Sequence, residues 1–270
     1  MARWGRHELL PGSAGVSRWK SERQTKKAMR RADAACVVDA RLPQALAAGD
    51  PLQELDLART HWLAKACERA GAVYLLLSAD QVFSGLATHP YREDEAPDAQ
   101  SEAGLALREA ERLALDGSSR STLLRAGPVF GSVGAGLLSD TLAALAAQRA
   151  LALDDVDAFC PVPAEDLARV VAGMLDQIDT GAEAAGVFHY ASPDRTTLYG
   201  FAEAVVAVAS QFSEVASAAI GRAPRSEGAP ACSWALDCRR LRDTFAIKQQ
   251  PWRAVIGDCV RSAFLTQAGD

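Results

Sequence analysis

The chain has 270 residues, 49% hydrophobic, 23% charged and 6% aromatic, with a formal net charge of −5. That balance excludes a disordered chain, a collagen-like repeat and a disulfide-stapled mini-protein. No apolar run reaches the ~18–20 residues a membrane-spanning helix needs, and Met1 to Gly15 lacks the apolar core of a signal peptide. A cytoplasmic protein with no membrane partner is expected.

Charge is unevenly spread. Residues 1–31 hold nine basic groups (Arg3, Arg6, Arg18, Lys20, Arg23, Lys26, Lys27, Arg30 and Arg31) against Glu8 and Glu22. This segment is +7, which leaves −12 for the remainder. An acidic body repels nucleic acid, so nucleic-acid binding is not expected of it. For the basic segment two readings stay open: a contact with an acidic partner such as a second copy, or a solvated Arg/Lys-rich helix face.

In chain order, Ala34 to Val38 reads as a short buried strand. Leu52, Leu55, Trp62, Leu63 and Ala66 recur with helical spacing over 52–70, and Gly71 stops the helix. The unbroken apolar run 72–77 predicts a strand buried on both faces. A helix is expected over 101–115, a strand over 121–125 before Gly127-Pro128, and helices over 137–151 and 164–178. A strand over 186–191, a helix over 198–215, a short helix over 237–245 and a last helix from Trp252 complete the chain. Strands alternating with helices imply an α/β fold: a Rossmann-like, mostly parallel sheet with helices on both faces. Ligands of such sheets sit beyond the carboxyl ends of the strands, so the residues after Leu77, Leu124 and Tyr190 are the place for a site.

The six cysteines (Cys36, Cys67, Cys160, Cys232, Cys238 and Cys259) form no Cys-x-x-Cys pair, and His7, His61, His89 and His189 lie near none of them in sequence. Reduced thiols and no metal site are expected.

Leu77-Ser78-Ala79-Asp80-Gln81-Val82-Phe83-Ser84-Gly85 resembles the Ser-Thr-Asp-Tyr-Val-Phe-Asp-Gly strand end of the dTDP-4-dehydrorhamnose reductase family. These are extended short-chain dehydrogenases that reduce a nucleotide-linked keto sugar with NAD(P)H. Further resemblances follow in order at Tyr91-Arg92-Glu93-Asp94 with Pro97, Leu124-Arg125 with Pro128-Val129-Phe130-Gly131, and Pro161 with Asp166-Leu167-Ala168. They continue at Gly186-Val187-Phe188-His189 and at Pro230, Leu236-Asp237, Leu241 and Pro251-Trp252-Arg253. The match runs from about Asp33 to Phe264. It implies a segment 1–31, a Rossmann-like core over 32–150, and over 151–270 the rest of the core with a small C-terminal substrate-type subdomain.

In the family a Thr, a Tyr and a Lys carry the chemistry. Tyr and Lys stand four apart on one helix so that both point one way. The matching positions are Ala79 for the Thr, Ala103 for the Tyr and Leu107 for the Lys. Nor does any tyrosine have a lysine four residues on: Tyr74, Tyr91, Tyr190 and Tyr199 are followed at that spacing by Ser78, Glu95, Asp194 and Glu203. Substitute acids could come from Asp80, Glu93 or Arg108.

A dinucleotide also needs a glycine-rich turn between a first strand and a helix. The only such turn is Gly12-Ser13-Ala14-Gly15, after a segment that Pro11 and polar residues make a poor strand. At roughly 30 residues per βαβ unit, the 32 residues before Asp33 are too few for the strands that normally precede it, so the N-terminal βα units are expected to be shortened. The loss would leave a sheet edge for a partner or second copy to cover.

The candidate substrate-binding residues are Ser78, Asp80, Gln81, Arg125, Phe130 and His189. Arg125 has two readings, a phosphate grip or an internal ion pair. His189 has a ligand contact or a structural role. Phe130 and Gln81 have a sugar-nucleotide cleft or plain packing. The expected function is a degenerate homologue without a cofactor, acting as a sugar-nucleotide-like binding protein or a regulatory or structural subunit. The alternatives are an active reductase using NADP or NAD, and an assembly protein that docks through its basic N-terminal segment.

Overall fold

The run after Gly71 forms the middle of the fold. In a computed structural model that describes residues 7–8, 19–212, 220–226 and 228–267, it is strand β2 (Val73–Ala79). Before it come helix α1 (Glu22–Ala32), strand β1 (Cys36–Asp39) and helices α2 (Arg41–Ala47) and α3 (Glu54–Ala70). Gly71 closes α3 with a left-handed φ of 68°, the geometry in which glycine meets no Cβ penalty.

A 3₁₀ turn, Asp80–Val82, leads to α4 (Glu102–Gly117), whose N-cap Ser101 accepts a hydrogen bond from the Gly104 amide at 3.1 Å. Then follow β3 (Ser121–Ala126), β4 (Val129–Phe130), α5 (Leu137–Ala146), β5 (Leu151–Leu153), β6 (Val162–Pro163) and α6 (Ala164–Asp179). The chain continues through β7 (Gly186–Tyr190), α7 (Leu198–Ala209), β8 (Ile220–Arg222), α8 (Arg239–Phe245), a 3₁₀ turn over Trp252–Ala254, and α9 (Ile256–Gln267).

Four strands make one parallel sheet in the order β1-β2-β3-β7. Every residue of β3 and all of β2 except its last are buried, which requires cover on both faces. Two short parallel pairs, β4 with β6 and β5 with β8, lie beyond the main sheet. A second hydrophobic cluster joins α5, α7 and α9 around Phe130, Phe201, Val205, Trp252 and Val260.

Several boundaries differ from the sequence reading. Helix α5 ends at Ala146, and the expected last turn is a break at Gln148 (φ 51°) followed by β5. The Leu-Ala pattern of 137–153 suits either state, and the pairing of Leu151 with Ile220 decides it. Helix α7 stops at Ala209; residues 213–219 lie outside the described ones. Helix α8 begins at Arg239 rather than Asp237, and the last helix begins at Ile256 after its 3₁₀ turn.

Residues 22–32 are a docked helix. Thr25 and Met29 of α1 are buried, and Arg69 of α3 donates to Glu22 at 2.8 Å. Arg23, Lys27, Arg30 and Arg31 stay exposed. Among the described residues no strand precedes β1, which has β2 as its one neighbour. The Gly12–Gly15 turn lies outside the described residues. All six cysteines are free thiols, and burial pushes Cys36, Cys67, Cys160 and Cys238 up to about 12. No described helix is long and apolar enough to cross a membrane.

Candidate functional site

The carboxyl ends of β2 and β3 open into a cleft of about 740 Å³. Its floor is Leu77, Ser78 and Ala79 from β2, Asp80 and Gln81 from the 3₁₀ turn, and Ala126 to Val129 leaving β3. One wall is α2 with Pro43 and Leu46. The N-termini of α4 (Ser101) and α5 (Leu137, Asp140) close two sides. Asp154, Asp157, Phe159, Leu198 and Trp234 close the far side.

Glycine lets these segments meet. A Cβ on Gly127 would lie 2.0 Å from the Cys160 carbonyl oxygen, and one on Gly104 would lie 2.4 Å from the Gln81 carbonyl oxygen. Neither contact survives a side chain, so both positions require glycine.

Of the six candidate binding residues, the structure brings Ser78, Asp80 and Gln81 to the cleft and leaves Arg125, Phe130 and His189 out of its lining. Arg125 is 3% exposed, and its fork closes on Glu111, Nε to Oε1 at 2.9 Å and Nη2 to Oε2 at 2.7 Å. The phosphate-grip reading is thereby corrected to the internal pair, because a bidentate partner already occupies the guanidinium. Its Nη1 lies 3.3 Å from His189 Nε2. Arginine only donates, so Nε2 accepts, and the ring proton sits on Nδ1, which donates to the Tyr91 carbonyl at 3.1 Å. Burial, with the Arg125 charge beside it, pushes the imidazole down to about 3. His189 is a neutral structural group.

Phe130 is 2% exposed and packs edge-on to Phe201 and Trp252 at 5.2 and 6.4 Å between centroids. It belongs to the second core, which corrects its assignment to the cleft.

The three positions that match the family's Thr, Tyr and Lys behave unequally. Ala79 lines the cleft and offers only a methyl group. Ala103 does not line it. Leu107 is 0% exposed inside the main core. Helix α4 therefore delivers neither a phenol nor an ammonium to the floor.

Among the substitute acids, only Asp80 reaches the cleft. Glu93 lines a separate surface hollow of about 320 Å³ beside Asp237 and Arg240, and Arg108 contacts the Ala99 carbonyl at 3.4 Å. Asp80 is 2% exposed, and burial pushes its carboxyl up to about 8 although nearby backbone amides favour the anion. Its Oδ2 and the Oγ of Ser78 have no hydrogen-bond partner.

Four carboxyl groups line the cleft (Asp80, Asp140, Asp154 and Asp157), and among the described residues no Lys, Arg, His or Tyr does. Arg225 pairs with Asp154 and Asp157, each at 3.0 Å, and its Nε is buried without a hydrogen-bond partner. The sequence reading missed Asp140, Asp154, Asp157 and Trp234. The Asp-rich stretch after β5 was a visible signal for two of them. Trp234 reaches the cleft through its Nε1, which donates to the Phe83 carbonyl at 3.0 Å. That link spans 151 residues of chain.

Residues 22–264 match the family model described as the RmlD substrate binding domain. The chain belongs to this family. It is 28% identical over 214 residues to a dTDP-4-dehydrorhamnose reductase of Burkholderia thailandensis, covering 74% of this chain and 70% of that one. It is 24% identical to methionine adenosyltransferase 2 subunit beta of Xenopus tropicalis, covering 75% of this chain and 61% of that protein. The chain spans 45 to 70% of the length of the curated relatives it matches. A crystal structure of a dTDP-4-dehydrorhamnose reductase from Clostridium acetobutylicum superposes with a TM-score of 0.73 at 18% identity, covering 92% of this chain and 86% of that one. The likeness shows a shared fold. Other solved neighbours carry NADP or NAD.

Proposed function

We propose that this chain is a non-reducing member of the family, a ligand-binding protein that serves as a binding or regulatory subunit of a protein partner. One observation carries the reading: no Tyr or cation lines the cleft among the described residues, in keeping with the resemblance, which matches Ala79, Ala103 and Leu107 to the family's Thr, Tyr and Lys. A proton donor tuned by a nearby cation contributes on the order of 10²–10⁴ in rate, and methyl and isobutyl groups supply none of it. Burial pushes the Asp80 carboxyl up to about 8, but among the described residues no ammonium lines the cleft to hold a nicotinamide ribose. The subunit role has a relative behind it, since subunit beta of methionine adenosyltransferase 2 is by its name a subunit of another enzyme.

Among the described residues no Lys or Arg lines the cleft to hold the pyrophosphate of a nicotinamide dinucleotide, and the Gly12–Gly15 turn lies outside those residues. No step is routed through such a cofactor.

The test mixes the full chain with NADPH or NADH and a nucleotide-linked keto sugar. Nicotinamide absorbance is expected to stay constant, and calorimetry with each dinucleotide is expected to give no saturable heat. Turnover, or binding in the micromolar range, would refute the reading.

A further inference from the structure

We propose that the exposed face of α1 docks an acidic protein partner, a chain that presents a row of carboxylates along one helix. The proposal rests on the subunit reading and names the surface that carries it.

The surface follows from spacing and burial. Arg23, Lys26, Lys27, Arg30 and Arg31 stand at i, i+3, i+4, i+7 and i+8, which is one face of a helix. Thr25 and Met29 on the other side are buried, so the cations point away from the core. Eleven residues at ~1.5 Å each make an array about 16 Å long. Glu22 is the one acid within α1, and it is taken by Arg69 at 2.8 Å and Lys26 at 3.3 Å. Among the described residues no carboxylate pairs with Arg23, Lys27, Arg30 or Arg31. Like charges at i and i+4, as in Arg23 with Lys27 and Lys27 with Arg31, destabilise a helix. Arg23, in the first turn, also opposes the helix dipole. The fold holds these cations at fixed spacing and supplies no counter-charge, which leaves that role to another molecule.

Charge selects the partner. Helix α1 is +4, five cations less Glu22, which leaves −9 for the rest of the chain. A nucleic acid or an anionic membrane extends past the array and would meet that acidic remainder. A membrane also needs an apolar helix face to bury, and that of α1 is turned into the core. In a two-fold dimer the patch must match itself, and α1 against α1 would set cation on cation. On α4 the carboxylates Glu109 and Asp116 are already bridged by Arg112, at 2.6 and 2.5 Å. A helix of another protein, with carboxylates at the same spacing, covers the array alone and neutralises it.

The test is a ¹⁵N NMR titration of the full chain with an alanine-based helical peptide that carries glutamates at i, i+3, i+4 and i+7. Amide shifts are expected on α1, with a Kd of about 1 mM or tighter. Affinity is expected to fall about tenfold or more between roughly 50 and 300 mM salt. The double change Arg23→Glu and Lys27→Glu is expected to weaken the acidic peptide about tenfold or more and to create binding of the matching lysine peptide. Circular dichroism checks the fold. Should the reversal unfold the chain, Arg23→Gln with Lys27→Gln replaces it, with a loss of about threefold or more expected. No shifts on α1, or unchanged affinity in a folded variant, overturns the proposal. So does tighter binding through α1 of a short duplex DNA or of phosphatidylserine vesicles, or a salt-sensitive dimer of the chain that the reversal abolishes. If the peptide does not bind and NADPH is not oxidised, this inference fails and the binding-protein reading stands. If the peptide binds and NADPH is oxidised, the surface stands and that reading falls.

Discussion

Replacing Asp80 by Asn isolates the most unusual group in the cleft. Burial raises its carboxyl from the ordinary 3.8 to about 8, so the folded chain holds the proton at neutral pH and the unfolded chain releases it. The unfolded state thus binds fewer protons between about pH 4 and pH 8, and stability falls as pH rises through that window. Below about pH 4 both states are protonated and the group is neutral in effect. A tenfold change in proton affinity is worth about 1.4 kcal/mol, so the rise from 3.8 to about 8 sets a ceiling of roughly 5–6 kcal/mol. Local relaxation and entering water reduce it, and about 2–3 kcal/mol is expected. An amide cannot ionise, so the Asp80→Asn variant should gain that amount relative to wild type between about pH 5 and pH 8.5. Urea unfolding of both proteins at the two pH values measures the difference. Taking the difference cancels groups that titrate the other way, such as Asp154, Asp155 and Asp237, whose pKa values are lowered. A gap that does not change with pH would mean that Asp80 is ionised in the fold, and a floor built on a neutral carboxyl would be refuted.

Arg125→Ala leaves the Glu111 carboxylate buried without its partner, and a loss of about 3–5 kcal/mol in denaturant unfolding is expected; a loss under about 1 kcal/mol would mean that the pair is solvated. His189 should show the Nδ1–H tautomer in ¹⁵N NMR spectra and stay neutral until the pH approaches about 3. Because its folded pKa lies below the ordinary 6.5, it adds stability that is present above that value and lost as pH falls toward about 3. An imidazolium signal at pH 5 would contradict the buried network. The triple change Ala79→Thr, Ala103→Tyr and Leu107→Lys should produce no NADPH oxidation, and it should destabilise the chain by several kcal/mol, since position 107 is fully buried in the core. Measurable keto-sugar reduction by that variant would show that a dinucleotide site is complete.

The strands of the main sheet are legible because a parallel strand covered on both faces needs an unbroken apolar run, and 72–77 is one. The cap at Ser101 and the stop at Gly71 are equally local, each set by the residue's own backbone preference or side-chain bond. The end of α5 is not legible, because β5 exists only through its pairing with β8, some 70 residues onward.

The cleft divides in the same way. Ser78, Asp80 and Gln81 follow from position alone, since the residues after a central strand lie at the sheet's carboxyl edge. Ala79, Ala103 and Leu107, which the resemblance matches to the family's Thr, Tyr and Lys, are likewise read from the sequence alone. What only the tertiary structure decided is which charges meet. Arg125 turns inward because Glu111, one helix away, offers a bidentate partner beneath the sheet. Asp140 from α5 and Asp154 and Asp157 from the loop after β5 converge on one cavity. Pairing and burial depend on distances through space, and spacing along the chain does not encode them.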